Sequence, residues 1–397
     1  MQVARADVIR RIAVAGLLAF SAAGCSNDGG SGTDSSDPFR FATFNASLNR
    51  SEPGRLIDDL STGDNAQAKT IAEIVQINQP DVLLVNEFDF DAQNRAADLF
   101  RENYLKVGRN GRDGIDYPYA FTAPVNTGEP SGRDLDNDGK SDGPGDAHGF
   151  GNFPGQYGML VLSKHPIDTD SIRTFRHFLW KDMPNSLLPR DYYGDNAESL
   201  RLSSKSHWDV PIDVNGETVH LLASHPTPPS FDGPEDRNGK RNHDEVRMSA
   251  DYIAGGGRAG YLYDDAGARG GLEDGARFVM AGDQNSDPAD GGSVPDTIAQ
   301  VLELPRVQDP SPKSTGAVES ARSQGGPNHT TPPELDTADF GEPDPGNLRV
   351  DYVLPSENLE VTDSTVFWPA EGEEGADLMS PQTSSDHRLV WTDIRIG

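Results

Sequence analysis

The sequence predicts an α/β fold in which two sheets pack as a sandwich, rather than a doubly wound parallel sheet. In the first half of the chain, apolar strand-like runs alternate with segments of helical periodicity, as in β-α-β units. In the second half, strands follow one another directly, and Asn215-Gly216 between two apolar runs is typical of a tight hairpin. A chain that combines both patterns fits two mixed sheets better than one parallel sheet.

The individual elements follow from the spacing of apolar residues. Strands are predicted, in chain order, at 39–45, 81–87, 157–163, 202–214, 218–224, 277–283, 349–354 and 389–396. Helices are predicted at 66–77, 92–105 and 243–254. Loops are predicted where Gly, Pro, Ser or Asp accumulate, at 108–153, 226–242 and 310–346. The first of these loops is an acidic insertion into the fold.

The N-terminal residues are expected to serve export rather than folding. Three arginines precede a short apolar stretch, 12–23, and small residues follow it up to the only cysteine, Cys25. This pattern resembles a bacterial lipoprotein signal, so we expect removal of residues 1–24 and lipidation of Cys25. An ordinary secretory signal with a coincidental cysteine is the alternative. Residues 25–37, rich in Gly and Ser, are then a flexible tether, and the folded domain is predicted to span 38–397.

This interpretation predicts a protein that is secreted and held at the bacterial cell envelope, on its outer face or in the periplasm. The lipid would be its only contact with the membrane, because no apolar run reaches the ~20 residues of a membrane-spanning helix.

The chain is strongly acidic, with 64 Asp and Glu against 34 Lys and Arg and a formal net charge of −30. No block of basic residues is present that would neutralise a row of phosphates, so tight, sequence-independent binding of duplex DNA is not expected. An anionic substrate would instead need a local positive charge, for which a bound metal cation is well suited.

Several predicted strands end at polar side chains that are costly to bury. These side chains are Asn45, Glu87, His225, Asp283 with Asn285, and Asp386 with His387. A carboxylate beside a packed strand is expensive to desolvate unless it is paired or bound to a metal, so we expect these residues to share one pocket at an edge of the sandwich. The oxygen ligands of Glu87, Asp386 and Asn45 suit Mg²⁺, Mn²⁺ or Ca²⁺ rather than zinc or copper.

These residue types suit the hydrolysis of a phosphate ester. That reaction needs an activated water, charge neutralised on the phosphoryl oxygens, and hydrogen-bond donors to the phosphate. We expect Asp283 to orient and deprotonate the water, and Asn285 to hold the phosphate. His225 and His387 are expected to donate to phosphoryl oxygens, and Asp351 to hold a histidine in its useful tautomer.

The order of these fragments resembles the endonuclease/exonuclease/phosphatase superfamily. The matching fragments are Thr-Phe-Asn45, Asn-Glu87, Ser-His225-Pro, Gly-Asp283-Gln-Asn285, Arg349-Val-Asp351-Tyr and Ser-Asp386-His387. The resemblance covers residues 39–397 and implies a four-layer α/β sandwich of two packed mixed sheets flanked by helices. It also implies that Glu87 is the main metal ligand with Asn45 and Asp386 nearby. His387 is then the phosphate-binding histidine, oriented by Asp351.

Three further residues are candidates for contact with the substrate. Lys205 and His207 lie on a predicted strand that would run near His225, and Tyr157 lies at the start of another strand. A cation and polar rings at these positions would help to hold an anion. Ordinary half-buried strand residues are the alternative.

The insertion contains a pattern of acids typical of the first half of a Ca²⁺-binding loop. The acids at positions 1, 3, 5 and 9 of this pattern are Asp134, Asp136, Asp138 and Asp142. Gly139 occupies position 6, but position 12 is Gly145 rather than Glu, and Asp146 follows it. We expect Ca²⁺ to bind because clustered carboxylates repel one another unless a cation joins them. A solvated acidic turn is the alternative.

The sequence therefore predicts a secreted phosphoesterase that uses Mg²⁺ or Mn²⁺ at its active site, with Ca²⁺ as a further candidate ion. Phosphate mono- or diesters would be hydrolysed by in-line attack of water. An extracellular endonuclease or exonuclease that binds DNA or RNA weakly is the alternative, and a surface binding module without turnover is a second one. The protein is expected to be a monomer.

Overall fold

The computed structural model describes residues 37–324, 329–341 and 345–397. The predicted signal peptide at 1–24, Cys25 and all but the last residue of the predicted tether lie outside the described residues. The chain from Asp37 onward forms one compact unit. None of the described helices is both long enough and apolar enough to cross a membrane.

The strands, in chain order, are β1 (Phe39–Asn45), β2 (Val82–Asn86), β3 (Tyr119–Phe121), β4 (Met159–Ser163), β5 (Arg173–Thr174), β6 (His207–Val214), β7 (Glu217–Ser224), β8 (Arg277–Asp283), β9 (Ala338–Asp339), β10 (Asn347–Leu348), β11 (Asp351–Pro355), β12 (Leu359–Phe367) and β13 (Leu389–Ile396). The α-helices are α1 (Arg55–Leu60), α2 (Ala66–Asn78), α3 (Arg95–Phe100), α4 (Arg190–Tyr193), α5 (Arg237–Ala254), α6 (Gly256–Ala259), α7 (Ala299–Leu302) and α8 (Thr315–Ser323).

Two mixed sheets form the centre of the fold. The first has six strands in the order β12-β13-β1-β2-β4-β3, and the second has five in the order β11-β8-β7-β6-β5. Strands β9 and β10 form a small separate pair. In each large sheet one pair is parallel, β1 with β2 and β7 with β8, and the other pairs are antiparallel. The predicted combination of parallel units and hairpins is confirmed.

The side chains of the sheets alternate between an inner and an outer apolar layer. Val82 and Leu84 of β2 face the second sheet and share one buried cluster with residues such as Val279 of β8. Leu83 points the opposite way, into a cluster that includes residues of α2 and α3. On the far side, Met280 belongs to a third cluster that includes residues of α5. Helices therefore cover the outer face of each sheet, which confirms the predicted four-layer sandwich.

The parallel pairs bring the carboxyl ends of four strands to one edge of the sandwich. A parallel pair needs a crossover connection, and α5 lies in the crossover between β7 and β8 while α1 and α2 lie in that between β1 and β2. Asn45 pairs with Asn86 at the ends of β1 and β2. At the end of β8, the backbone N–H of Asp283 donates to Oδ1 of Asn86 at 3.2 Å, so the two sheets meet at this edge. Asp351, at the start of β11, lies opposite Asp283.

Three sequence predictions of secondary structure were wrong in extent. Helix α5 begins within the predicted loop 226–242, because its first turns are polar and carry no apolar periodicity; Asp232 accepts from the N–H of Asn238 at 2.6 Å there. Helix α8 lies inside the predicted loop 310–346, where Ser314 caps it. The predicted helix 92–105 begins only at Arg95 and ends as a π-helical turn.

Strand β12 was not predicted. It lies at the edge of the six-stranded sheet, is mostly polar, and buries only Leu359 and Val366 fully. A register shift between Val361 and Asp363 further interrupts its alternation. Three predicted strands begin two or more residues later than expected, at Met159, His207 and Asp351.

Buried carboxylates hold the segment that leads into β11. Asp287 accepts from the N–H of Arg349 through Oδ2 at 2.8 Å and from the hydroxyl of Thr331 through Oδ1 at 2.6 Å. Asp336 is 2% exposed in the same region. Burial raises the pKa of Asp336 to about 8, and the neighbouring carboxylates of Asp287 and Asp290 act in the same direction.

We expect the substitution Asp336→Asn to stabilise the protein increasingly as the pH rises. Below pH ~4 the carboxyl group is protonated in both the folded and the unfolded chain. Between pH ~4 and ~8 only the unfolded chain loses the proton, so the wild type loses stability relative to the variant. We expect a relative gain of about 4 kcal/mol between pH 5 and pH 9, measured by chemical denaturation. Asp64→Asn, at an exposed carboxylate, is the control. Equal pH dependence in the two variants would contradict the prediction.

Candidate active site

The loops that leave the strand ends turn sharply over the common edge. Ser47, Glu87, Tyr157 and Asn285 all have positive φ, at 48°, 59°, 55° and 50°. This region is unfavourable for residues other than glycine, and such strain concentrates at functional sites. Ser47, Glu87 and Asn285 follow strands closely, and Tyr157 lies just before β4, whose first residue pairs with Asn86 at the end of β2. These residues therefore lie near the same edge of the sandwich.

Four side-chain nitrogens converge on a single oxygen, Oδ2 of Asp283. Its distances are 3.1 Å to Nδ2 of Asn45, 3.3 Å to Nε2 of His225, 3.4 Å to Nδ2 of Asn285 and 3.7 Å to Nε2 of His387. The other oxygen of Asp283 accepts from the backbone N–H of Asn285 at 2.9 Å. Burial alone would raise the pKa of Asp283, but the positive charges of His387 and His225 outweigh burial and hold that pKa below its ordinary value.

His387 is held between two carboxylates. Its Nδ1 donates to Oδ2 of Asp351 at 2.9 Å, which directs Nε2 towards Asp283. Burial lowers the pKa of His387, but the charges of Asp351 and Asp283 more than compensate and raise it to about 10. The ring edge of the histidine also packs against Phe340, with ring centroids 5.2 Å apart. His387 is therefore an oriented cation at neutral pH.

Thr337 supports Asp351. Its hydroxyl donates to Oδ2 of Asp351 at 2.9 Å, the same oxygen that accepts from His387. The hydroxyl oxygen in turn accepts from the backbone N–H groups of Val350 and Asp351, each at 3.0 Å. Thr337 was not predicted from the sequence, because it lies in the Pro- and Gly-rich segment predicted as a loop.

Glu87 lies beside Asp283 and the nitrogens around it, and its carboxylate is partly exposed to solvent. It is only partly buried and accepts from Nδ2 of Asn45 at 3.2 Å and from Nδ2 of Asn49 at 2.7 Å. Asn49, which lies four residues after Asn45 along the chain, was not predicted. Asp386 is linked to Asn45 through Ser47, whose hydroxyl lies 3.5 Å from Oδ1 of Asp386 and whose N–H donates to Oδ1 of Asn45.

These oxygens fit a hard divalent cation. Neither Glu87 nor Asp386 forms an ion pair with a described Lys, Arg or His, and partly solvated carboxylates beside amide oxygens are the donors that Mg²⁺ or Mn²⁺ prefers. Carboxylate and imidazole atoms of Asp283, Asp351 and His387 also lie within 4.8 Å of one another. In that group, however, His387 already donates from Nδ1 to Asp351 and directs Nε2 towards Asp283.

Two of the three predicted substrate contacts border this site. Lys205 is buried, with Nζ 3.5 Å from the backbone oxygen of Pro226. Burial lowers the pKa of Lys205, although nearby carboxylates, including those of Glu87 and Asp283, favour its charged form. Burial raises the pKa of Tyr157, and the charges of Glu87 and Asp89 add to that shift.

His207 occupies a different kind of position from the one predicted. Its Nδ1 is 2.8 Å from the hydroxyl of Ser203, and its Nε2 is 3.1 Å from the backbone oxygen of Glu245. Both ring nitrogens of this buried side chain are engaged within the protein, and none remains for a substrate. The histidine holds β6 against α5 instead.

The predicted calcium-loop acids are not all brought together either. Asp138 accepts from the N–H of Lys140 at 2.8 Å and pairs with the ammonium group of the same residue, and Asp142 is exposed. Asp134 and Asp136 do approach one another, and the third member of their group is Asp146. The structure therefore groups Asp134 and Asp136 with Asp146, and not with Asp138 or Asp142.

The sequence matches the profile of the Endonuclease/Exonuclease/phosphatase family over residues 42–387. The chain belongs to this family. Family members are in general phosphoesterases that act on phosphate-ester or nucleic-acid substrates and use divalent metals. No curated protein matches the chain.

Solved structures of low sequence identity are similar to this chain, and the first of them shares its fold. An endonuclease/exonuclease/phosphatase from Beutenbergia cavernae is 18% identical, with a TM-score of 0.51 over 91% of this chain and 72% of that one. A family protein from Leptotrichia buccalis is 16% identical, with a TM-score of 0.46 over 90% and 100% of the two chains. Truncated TDP2 from Caenorhabditis elegans is 16% identical, with a TM-score of 0.44 over 90% and 97%.

We expect Thr337→Val to lower kcat by about 10- to 100-fold, because the hydroxyl that helps to orient Asp351 is lost. Two buried N–H groups also lose their acceptor, which should reduce the free energy of unfolding by about 1–3 kcal/mol. The measurements are turnover of a chromogenic phosphodiester and chemical denaturation. Thr337→Ser retains the hydroxyl and should stay close to the wild type in both. A valine variant with wild-type kcat would show that this hydrogen bond does not position the site.

Proposed function

We propose that the protein is a divalent-metal-dependent phosphoesterase that hydrolyses phosphate mono- or diesters by in-line attack of a water oriented by Asp283. The observation that carries the proposal is the convergence of four nitrogen donors on Oδ2 of Asp283, next to the open carboxylate of Glu87. Membership of the family supports phosphate-ester hydrolysis in general.

Glu87, Asp386 and the amide oxygen of Asn45 are the residues that would hold the metal. Their fit rests on two carboxylates that lack a described cationic partner and on their hard oxygen atoms. When bound, Mg²⁺ or Mn²⁺ supplies positive charge to the phosphoryl oxygens and lowers the pKa of a water.

The crowding around Asp283 explains how the protein's own residues would bind a phosphate. One carboxylate oxygen has two lone pairs and cannot satisfy four donors at full strength, as the long distances of 3.3 to 3.7 Å for three of the donors indicate. The negatively charged oxygens of a phosphoryl group would be further acceptors for these four donors. His387, whose imidazolium makes the longest of these contacts, is the first donor expected to turn towards it.

The remaining groups orient the reactants. Asp283 stays ionised at neutral pH because of its low pKa, so Oδ2 accepts a hydrogen bond from the attacking water and takes its proton as the new P–O bond forms. The P–O bond opposite breaks at the same time, and the leaving alcohol oxygen takes a proton from solvent water. Asn285 is anchored to the backbone oxygen of Pro226 at 3.1 Å and holds a phosphoryl oxygen through the same amide group. His225 donates from the other side, while Lys205 and Tyr157 line the approach.

The charges around the site favour a small phosphate ester over a nucleic acid. Several arginines in these segments are already paired: Arg50 with Asp59 at 2.8 Å, Arg349 with Asp309 at 2.5 Å and Arg388 with Asp339 at 3.7 Å. Because these arginines are paired and the net charge is −30, little unpaired positive charge remains to attract a polyanion. A weakly binding extracellular nuclease is the second candidate, and it rests on the family alone.

We also propose that the protein is exported and anchored to the cell envelope through Cys25. The support is the pattern of residues 1–25 alone. Cys25→Ser should move the protein from the membrane fraction to the soluble fraction of the producing cell, as followed by immunoblotting. Continued sedimentation of the variant with membranes would contradict a lipid anchor at this residue.

We expect Glu87→Gln and His387→Asn each to lower kcat by at least about 100-fold. Glu87→Gln should leave the melting temperature within a few degrees of the wild type, whereas His387→Asn should lower it, because Asp351 and Asp283 lose a buried cationic partner. EDTA should inactivate the wild type, and Mg²⁺ or Mn²⁺ should restore it. Glu102→Gln, at an exposed carboxylate, is the matched control and should retain full activity. Wild-type turnover in either site variant would refute the assigned roles.

The substrate class is tested by comparing bis(p-nitrophenyl) phosphate, p-nitrophenyl phosphate, plasmid DNA and single-stranded RNA at fixed metal and salt. We expect kcat/KM for a small ester to exceed that for either polymer. Faster cleavage of DNA or RNA would establish the nuclease alternative. Absence of hydrolysis of every ester with Mn²⁺ present would indicate a binding module.

A further inference from the structure

The insertion carries a second cluster of acids, separate in its residues from the candidate active site. Asp134, Asp136 and Asp146 each offer a carboxylate oxygen, and these oxygens lie within 4.8 Å of one another. None of the three carboxylates forms an ion pair with any Lys, Arg or His in the described part of the chain. Three like charges at this separation repel one another strongly in the absence of a cation.

Burial makes this repulsion more significant. Asp146 is 2% exposed; its Oδ1 accepts from the N–H of Leu135 at 2.7 Å, whereas its Oδ2 is buried without a hydrogen-bond partner. Oδ1 of Asp134 is likewise buried and without a partner, while its Oδ2 accepts from the N–H of Gly139 at 3.0 Å. Buried carboxylate oxygens without donors are rare in folded proteins, and each requires a compensating charge.

The backbone brings the third acid into the loop. A 3₁₀ turn, Pro144–Asp146, returns the chain towards Asp136, and a Cβ at Gly145 would lie 2.1 Å from Oδ2 of Asp136. Gly139 has φ of 87°, as the sharp turn at position 6 of a Ca²⁺-binding loop requires. Asp146, one residue beyond position 12, thus takes the place that a glutamate occupies in the usual pattern.

We propose that Asp134, Asp136 and Asp146 bind one Ca²⁺. The cluster contains neither histidine nor cysteine, which argues against zinc. Calcium accepts irregular sets of carboxylate, carbonyl and water oxygens, whereas Mg²⁺ demands near-octahedral geometry and gives up its water reluctantly. Ca²⁺ is therefore the cation that suits three carboxylates from a flexible loop.

Bound Ca²⁺ would fix the insertion to the body of the domain. The backbone oxygen of Asp134 accepts from Nδ2 of Asn196 at 2.7 Å, and that of Asp136 accepts from the hydroxyl of Tyr192 at 3.2 Å. Leu135, between the two acids, is buried in the apolar cluster that includes residues of α5. The backbone N–H of Asn126, in the same insertion, donates to the backbone oxygen of Lys205 at 2.9 Å. The insertion that carries the cluster is thus hydrogen-bonded to Lys205, at the border of the candidate active site.

The test counts the Ca²⁺ sites of the full folded chain. The Glu87→Gln substitution serves as the background, so that metal binding at the candidate active site does not contribute to the count. In the Glu87→Gln background, calorimetric titration with Ca²⁺ should show one site, and Ca²⁺ at about 1 mM should raise the melting temperature by several degrees. Adding Asp146→Asn to that background should abolish both the site and the rise, and adding Asp134→Asn should do the same if the first double variant folds poorly.

Asp142→Asn in the same background is the matched control, since it removes the same charge from the same loop but lies outside the cluster. It should retain both the site and the rise in melting temperature. Trypsin cleavage after Arg133 or Lys140 should slow on addition of Ca²⁺ in the control and not in the Asp146 variant. The proposal is overturned if the Glu87→Gln protein binds no Ca²⁺, if Asp146→Asn binds it undiminished, or if Asp142→Asn loses it equally.

Discussion

Buried hydrogen bonds between strand ends connect the two sheets at the edge where the polar residues gather. The N–H of Asp283, the last residue of β8, donates to the side chain of Asn86, the last residue of β2. Asn86 is completely buried and also accepts from the hydroxyl of Thr43 at 3.3 Å. A register shift of one residue in either strand would turn these side chains to the opposite face. The contacts of Asp283 with Asn45 and the two histidines depend on this alignment.

Four side chains at this edge form a chain of alternating hydrogen-bond donors and acceptors. It runs from Thr337 through Asp351 and His387 to Asp283, and each member is almost fully buried. Buried charges are tolerated when each is paired and hydrogen-bonded, and the loss of one member leaves its neighbour uncompensated. The same arrangement keeps one histidine cationic and one carboxylate ionised at neutral pH, which is the combination that anion binding and water orientation require.

The sequence predicted those parts of the structure that are governed by apolar periodicity. Strands β2 and β8 carry continuous apolar runs, and their polar ends were found from the residues alone. Edge strand β12 and the polar first turns of α5 lack such a signal, since half of their surface faces water or other polar groups. Thr337 and Asn49 act through side-chain hydrogen bonds to residues distant in the sequence, and no local pattern marks them. Asp146 was missed as a ligand because a glycine-containing turn shifts the expected spacing by one residue.

Strand β1 pairs with β2 on one side and with β13 on the other, so residues near the start and the end of the domain are neighbours at the centre of one sheet. Contacts so distant in sequence form late and slow the folding of a domain. Asn45 and His387, which meet around Asp283, are separated by most of the polypeptide. A nascent or truncated chain therefore lacks a complete constellation, and catalytic competence can emerge only after synthesis has delivered the final strand.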